Sequence, residues 1–285
     1  MTERTSNYGV VHPNRRITRM SEIDNVPGYT RQSRFAGMLG LYTVKKYDVL
    51  ICGCGAIGRQ VALTLATMDI AKSYTLVDPD VVDGTNLGTQ GFGPAQLGKS
   101  KVVATKDDML LKNPGLKVHT HTKMMGVPKR VGAKNHWKPA KRPHILFLCP
   151  DDMITRNEFK ADKDLLPTKF LIDTRMGAWA CRIISDVPPF KRWIPTLFSD
   201  SASFSGSCTL QSTFFAASVC SGLAVASLMD LVGAVKPDPV DVIVNLLDID
   251  TTHQEPNCDK KESSPEAGRA RGATNAVAFR MKSDE

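Results

Sequence analysis

The seven cysteines of this 285-residue chain stand at 52, 54, 149, 181, 208, 220 and 258, and no two form a Cys-x-x-Cys pair. That absence sets aside a zinc ribbon, and no structural zinc is expected. An odd thiol count, with no secretory signal read at the start, fits a reducing compartment, so a cytoplasmic protein is expected. No internal repeat is visible, which sets aside repeat arrays. The most apolar stretch, Thr213 to Met229, is rich in Ala, Ser and Gly and runs into Asp230. It falls short of a comfortable membrane span and reads as a buried helix that lets its neighbours come close. No membrane association is expected. Acid is also in short supply: 29 Asp and Glu face 37 Lys and Arg, a net charge of +8. Such a balance suits a polyanionic partner such as ATP, tRNA or an acidic protein tail, although basic side chains spread over solvated faces give the same sum.

What remains is ordinary for a globular protein, 42% hydrophobic and 23% charged. Residues 1–28 are irregular and carry a basic cluster (Arg15, Arg16, Arg19), an N-terminal arm. Thr30 to Tyr42 suits a helix. Residues 29–255 alternate apolar strand runs with helical patterns, and 256–285 have the composition of a flexible tail. Strands are expected at Leu116 to His121, His144 to Leu148, Lys169 to Asp173, Ala180 to Ser185 and Val242 to Leu247. Helices are expected at 97–111, 154–163 and 211–232. Residues 123–141 read as a loop or short helix, and 187–208 as a long connection without clear period. Alternation of this kind predicts an α/β fold, a Rossmann-like, mostly parallel sheet with flanking helices.

The segment from Asp48 to Asp78 carries the chemistry. An apolar run, Val49 to Cys52, enters Gly53-Cys-Gly55-Ala56-Ile57-Gly58, then a helix pattern, a second apolar run and Asp78. Strand, glycine turn, helix, strand and acid make a nucleotide fingerprint. The glycines admit phosphate to the backbone, and the helix N-terminus offers N–H groups to it. An acid about twenty residues after the loop suits ribose hydroxyls. The fingerprint alone fits NAD or FAD as well as ATP.

Further polar residues narrow this. Asp78-x-Asp80, Asn86-Leu87-Gly88-Thr89-Gln90 and Gly98-x-x-Lys101 follow in order. The set resembles the E1-like superfamily of ATP-dependent adenylyltransferases, which includes ThiF, MoeB, HesA and the ubiquitin-activating enzymes. Its shared pattern is Asp-x-Asp, Asn-Leu-x-Arg-Gln and Gly-x-x-Lys. Here Thr89 replaces the arginine, and Arg59, directly after the loop, is the candidate substitute. Leu148-Cys149-Pro150-Asp151-Asp152 with Arg156-Asn157 is similar to the family's Cys-Thr-Asp-Asn…Arg-Asn segment.

The resemblance implies MgATP as cosubstrate, with Gly53, Gly55, Ala56, Ile57, Gly58, Asp78, Asp80, Asn86, Gln90 and Lys101 around the nucleotide. It makes Asp151 the magnesium ligand and Lys101 a phosphate contact. A helix cap is the plain alternative for Asp151 or Asp152. Arg31-x-x-Arg34 resembles the Arg-x-x-Arg of dimeric members, whose second arginine enters the partner's site, so Arg34 implies a homodimer. Ser207-Cys208-Thr209 is similar to autophagy-type activating enzymes, where the cysteine forms a thioester, and Cys208 is the matching nucleophile. An inert buried thiol is the alternative. The implied activity is adenylation of a carboxylate on a ubiquitin-like or sulfur-carrier protein. Rival readings are a tRNA-modifying dehydratase of the same family, a catalytically silent partner subunit, and an NAD-dependent oxidoreductase.

Overall fold

The computed structural model describes residues 47–125, 136–198, 213–233, 238–246 and 250–253. The N-terminal arm, the expected helix at Thr30 to Tyr42 with Arg34, the stretch with Cys208, and the tail lie outside the described residues.

Five-residue runs with apolar side chains on both sides make the central strands. In β1 (Asp48–Cys52), Val49 and Ile51 face one hydrophobic cluster while Leu50 and Cys52 face another. A strand buried on both faces suits the interior of a parallel sheet. β1 is flanked by β2 (Ser73–Val77) and β6 (Ile145–Leu148), both parallel to it. β3 (Val118–His121) extends the sheet beyond β2, and β7 (Phe170–Gly177) extends it beyond β6, again in parallel. β8 (Ala180–Asp186), β9 (Asp241–Asn245) and β10 (Asp250–His253) then add antiparallel strands. The order across the eight strands is β10-β9-β8-β7-β6-β1-β2-β3. The expected mostly parallel α/β sheet is therefore what forms, with an antiparallel margin that includes β10, a strand the sequence pattern did not mark. A separate pair, β4 (Met124–Met125) and β5 (His136–Trp137), replaces the loop or short helix expected within 123–141. Two-residue strands carry too little periodicity to be read.

Helices α1 (Ala56–Met68), α3 (Lys101–Lys112) and α5 (Phe214–Gly233) cover one face of the sheet. A short helix, α2 (Asn86–Thr89), precedes α3. α5 runs to Gly233, past Asp230, and is long and apolar enough to cross a membrane by length and composition. In this fold it lies instead against α1, β7 and β8. Its buried residues include Ala216, Ala217, Cys220 and Ala224, small side chains that suit close packing against α1. The other face of the sheet is covered by α4 (Met153–Ala161) through Phe159, and by the turn after β8 through Phe190 and Trp193.

Candidate functional site

Register places three strand ends side by side. Cys52 pairs with Val77 on one side and with Leu148 on the other. The residues that follow are Gly53, Asp78 and Cys149, and the backbone joins them: Gly53 N donates to Val77 O at 2.9 Å, and Cys149 N to Cys52 O at 2.8 Å. From β1 the chain first moves outward through β2 and β3, then returns to the opposite side of β1 as β6. This reversal makes the carboxyl ends of β1 and β6 the switch point of the sheet, the place where open α/β sheets bind ligands.

The glycine loop is folded by two of its glycines and left open by the third. Gly53 has φ +89°, and a Cβ there would lie 2.6 Å from Cys149 O. A Cβ on Gly58 would lie 1.8 Å from Gly53 O. Gly55 meets only the Gln90 amide, at 3.7 Å or more from the position of a Cβ. α1 then starts at Ala56 and Ile57 with no side-chain cap and no acid in its first turn. Its leading N–H groups and the positive end of its dipole are thus left to an anion. A cradle of this kind fits the phosphates of ATP.

Asp78, expected to reach a ribose, is first of all the lock of the loop. Its Oδ2 accepts from Cys54 N at 2.6 Å and its Oδ1 from Asp80 N at 2.8 Å. Burial raises its pKa above the usual carboxylate range, against the opposing pull of those two N–H groups and of Lys101. Lys101 opens α3, its backbone N donating to Asp80 O at 2.9 Å. Its Nζ lies 3.0 Å from Asp80 Oδ2, with the lysine side chain only 9% exposed and the carboxylate 60%. The cation and Asp80 therefore stand together at the rim beside Asp78. Asn86 is buried and accepts from Asp83 N through Oδ1 at 3.1 Å, so it shapes the turn into α2. Gln90 faces Gly55, with its Oε1 buried and without a hydrogen-bond partner among the described residues. Thr89 offers nothing in place of an arginine: its hydroxyl donates to Thr85 O at 2.9 Å.

At the end of β6 the two neighbouring acids divide their roles. Asp152 caps α4, accepting from Thr155 N at 2.5 Å and Thr155 Oγ1 at 3.0 Å. Asp151 stands exposed beside it, just past the carboxyl end of β6. Among the described residues no group of three metal-ligating side chains is present. Magnesium held by one carboxylate and substrate phosphates needs no such group, and Asp151 fits that requirement.

Beneath this loop lies a network that no sequence pattern announced. Asp173 of β7, fully buried, accepts from Arg156 Nε at 2.8 Å, from Arg175 Nη2 at 2.8 Å and from Trp193 Nε1 at 3.0 Å. Burial pushes its pKa up, but the two guanidiniums outweigh that and hold it below the usual range. Arg156 continues to Asp152 O at 2.7 Å, and Arg175 to Thr196 O at 2.9 Å. The acidic loop is thereby tied to the segment after β8. The only sequence signal was the Arg156-Asn157 pair, whose partners come from distant elements.

The thiols nearest these strand ends are held in the protonated form. Burial drives Cys52 and Cys54 well above the ordinary thiol value and Cys149 up to about 12. Farther along the sheet's carboxyl edge, the two-residue β7–β8 turn presents Trp179, whose ring lies 4.7 Å from that of Phe215, both over 40% exposed.

Comparison with known proteins agrees with this geometry. A family model described as the ThiF family matches residues 29–268. The chain is 35% identical over 86 residues to the probable adenylyltransferase/sulfurtransferase MoeZ of Mycobacterium tuberculosis, covering 30% of this chain and 22% of that protein. It is 33% identical over 78 residues to ubiquitin-like modifier-activating enzyme 5 of Dictyostelium discoideum, covering 27% and 20%. The matches thus span less than a quarter of the length of these two relatives. Among solved structures, E. coli MccB with ATP superposes with a TM-score of 0.57 at 19% identity, covering 83% of this chain and 74% of that one.

Proposed function

Because the chain belongs to the ThiF family, we propose that it is an ATP-dependent adenylyltransferase that activates a carboxylate, the C-terminus of a ubiquitin-like or sulfur-carrier protein. One observation carries the reading: the Gly53–Gly58 loop and the Asp151 loop open from adjacent strand ends, with Lys101 at the rim. A carboxylate oxygen of the partner attacks the α-phosphorus of ATP, the bond to the bridging oxygen breaks, and pyrophosphate leaves. The glycine loop and the start of α1 hold phosphate oxygens, and Lys101 adds positive charge where negative charge gathers. Asp151 is the residue that would hold magnesium, which when bound neutralises phosphate charge. Asp78 keeps the loop in shape through Cys54 and Asp80.

Arg34 and Cys208 enter on sequence alone, as an arginine reaching a second copy's site and as an acceptor thiol for the activated acyl group. Mass spectrometry after incubation with MgATP and partner tests the thiol: a reducible adduct lost in Cys208→Ala supports transfer, and its retention assigns another cysteine. The core test is ATP–pyrophosphate exchange in the presence of the acyl partner. Asp151→Ala should lower exchange by about 10² or more, roughly 2.7 kcal/mol of barrier, with the fold intact. An unchanged rate removes Asp151 from the reaction. A catalytically silent partner subunit is the second reading, and Thr89, turned back on Thr85, is the observation that favours it. Exchange activity in the purified chain decides between the two.

A further inference from the structure

Arg59 is the fourth residue of α1 and follows directly on the last glycine of the loop. It is only 7% exposed. Its Nη2 donates to Asp108 Oδ2 at 2.6 Å, in α3, and its guanidinium carbon lies 4.8 Å from the centre of the Phe92 ring. The same Asp108 oxygen accepts from Gln96 Nε2 at 2.9 Å, and Gln96 Oε1 accepts from Gly93 N at 2.8 Å. One guanidinium therefore joins three pieces of the site: the helix that carries the phosphate loop, the helix that begins with Lys101, and the 90–96 segment between them.

That segment needs such a fastening. Gly91 and Gly93 give it a large entropy to lose on ordering. Gly91 sits at φ +74°, where a Cβ would lie 2.5 Å from Phe214 Cε2 and 3.2 Å from Arg59 Nη1, so the backbone is drawn tightly onto the arginine and α5. The outcome is the placement of Gln90, whose amide faces Gly55 across the open side of the phosphate loop. Two buried polar atoms in this corner, Gln90 Oε1 and Arg59 Nε, have no hydrogen-bond partner among the described residues.

We infer that Arg59 is a positioning residue for the nucleotide site, an inference that rests on the adenylyltransferase reading. Its guanidinium is enclosed by Asp108, the Phe92 ring and Gly91, so its role is to join these elements. It fixes the segment from α2 to Gln96 so that Gln90 is held ready over the loop.

The test is Arg59→Met, which keeps a stem over Phe92 and removes the guanidinium. Amide hydrogen exchange should quicken at Gln90, Gly93 and Leu97 and stay unchanged in β1 and β6. The MgATP dissociation constant, measured by calorimetry, should rise about tenfold, as it should in Gln90→Ala. The double variant should bind no worse than the weaker single one, because both remove the same contact. Arg59→Lys, with a single donor group, should fall between wild type and Arg59→Met. Unchanged exchange across 90–97, or strictly additive losses, overturns the inference. If Arg59→Met does not fold, Asp108→Asn loosens the same fastening from its more exposed end and is held to the same readouts. A wild-type protein that binds no MgATP refutes the underlying reading instead, and exchange in Arg59→Met still decides whether Arg59 fixes the segment.

Discussion

Alanine substitutions at Gly58 and Gly55, three residues apart, should have contrasting effects, and the contrast follows from the loop's geometry. In Gly58→Ala the new methyl would lie 1.8 Å from Gly53 O, 2.9 Å from Gly53 C and 3.2 Å from Cys149 Cβ. Ordinary contacts require well over 3 Å, so the backbone of Gly53 must move by more than an ångström. That backbone is anchored by Gly53 N to Val77 O at 2.9 Å, and its neighbour Cys54 N to the Asp78 carboxylate at 2.6 Å. Losing a neutral bond costs about 0.5–1.5 kcal/mol and a bond to a charged group about 1.5–3 kcal/mol. The expected destabilisation is about 2–4 kcal/mol, or a fall in melting midpoint of roughly 4–16 °C for a domain of this size. Gly55→Ala differs because its methyl meets nothing closer than the Gln90 amide at 3.7 Å. Its melting midpoint should stay within about 3 °C of wild type, while the methyl occupies the surface a phosphate must approach and weakens MgATP binding at least about tenfold. Scanning calorimetry and titration calorimetry on both variants supply the four numbers. A Gly58→Ala protein as stable as wild type, or a Gly55→Ala protein with normal ATP affinity, would show that the loop is not the phosphate cradle described.

Asp173→Asn leaves Arg156 and Arg175 buried without their counter-charge and should cost about 3–5 kcal/mol in urea unfolding; a cost under 1 kcal/mol would contradict the network. The folded pKa of Asp173 lies below its unfolded value of about 3.9. Its stabilisation is therefore complete above that pH and is lost as pH falls through the folded value, so the acid arm of the stability profile should flatten in Asp173→Asn. Native-state alkylation at pH 8 should leave Cys52 and Cys54 unlabelled by mass spectrometry, since both are buried and their thiolates suppressed; rapid labelling of either would contradict that burial. Asp78→Ala should weaken MgATP binding through loss of the Cys54 and Asp80 bonds even where the ribose is absent, so triphosphate-only ligands should report the same loss.

The central fold was legible because its strands are buried on both faces and read as continuous apolar runs, as Val49 to Cys52 and Ile145 to Leu148 do. The glycine loop was legible because Gly53 and Gly58 have steric reasons and Gly55 keeps the backbone open to a phosphate. What the pattern could not disclose were partnerships across the sheet. Asp78 was read as a ribose ligand, yet a carboxylate one strand over from a turn is also well placed to bind that turn's own N–H groups. Arg59 was read as a phosphate cation from its place beside the loop, but its partner Asp108 lies 49 residues on. Asp173 carried no signal at all, being one acid in an apolar strand whose three partners come from α4, β7 and the turn after β8. The tight turn at Ala178 and Trp179 has none of the usual turn residues, with Ala178 at φ +50°.

The switch point between β1 and β6 has a consequence for when it can exist. Asp48 N donates to the His144 ring across a sequence separation of 96 residues, and the strands that bracket the glycine loop are held together over similar spans. Closing so long an intervening chain is slow, and the contacts reward it only once both strands have arrived. A ribosome that has delivered β1, α1 and β2 has made the motif but not the paired strand ends that flank it. Binding competence should therefore appear abruptly during synthesis, only after β6 has cleared the exit tunnel, rather than growing in step with chain length.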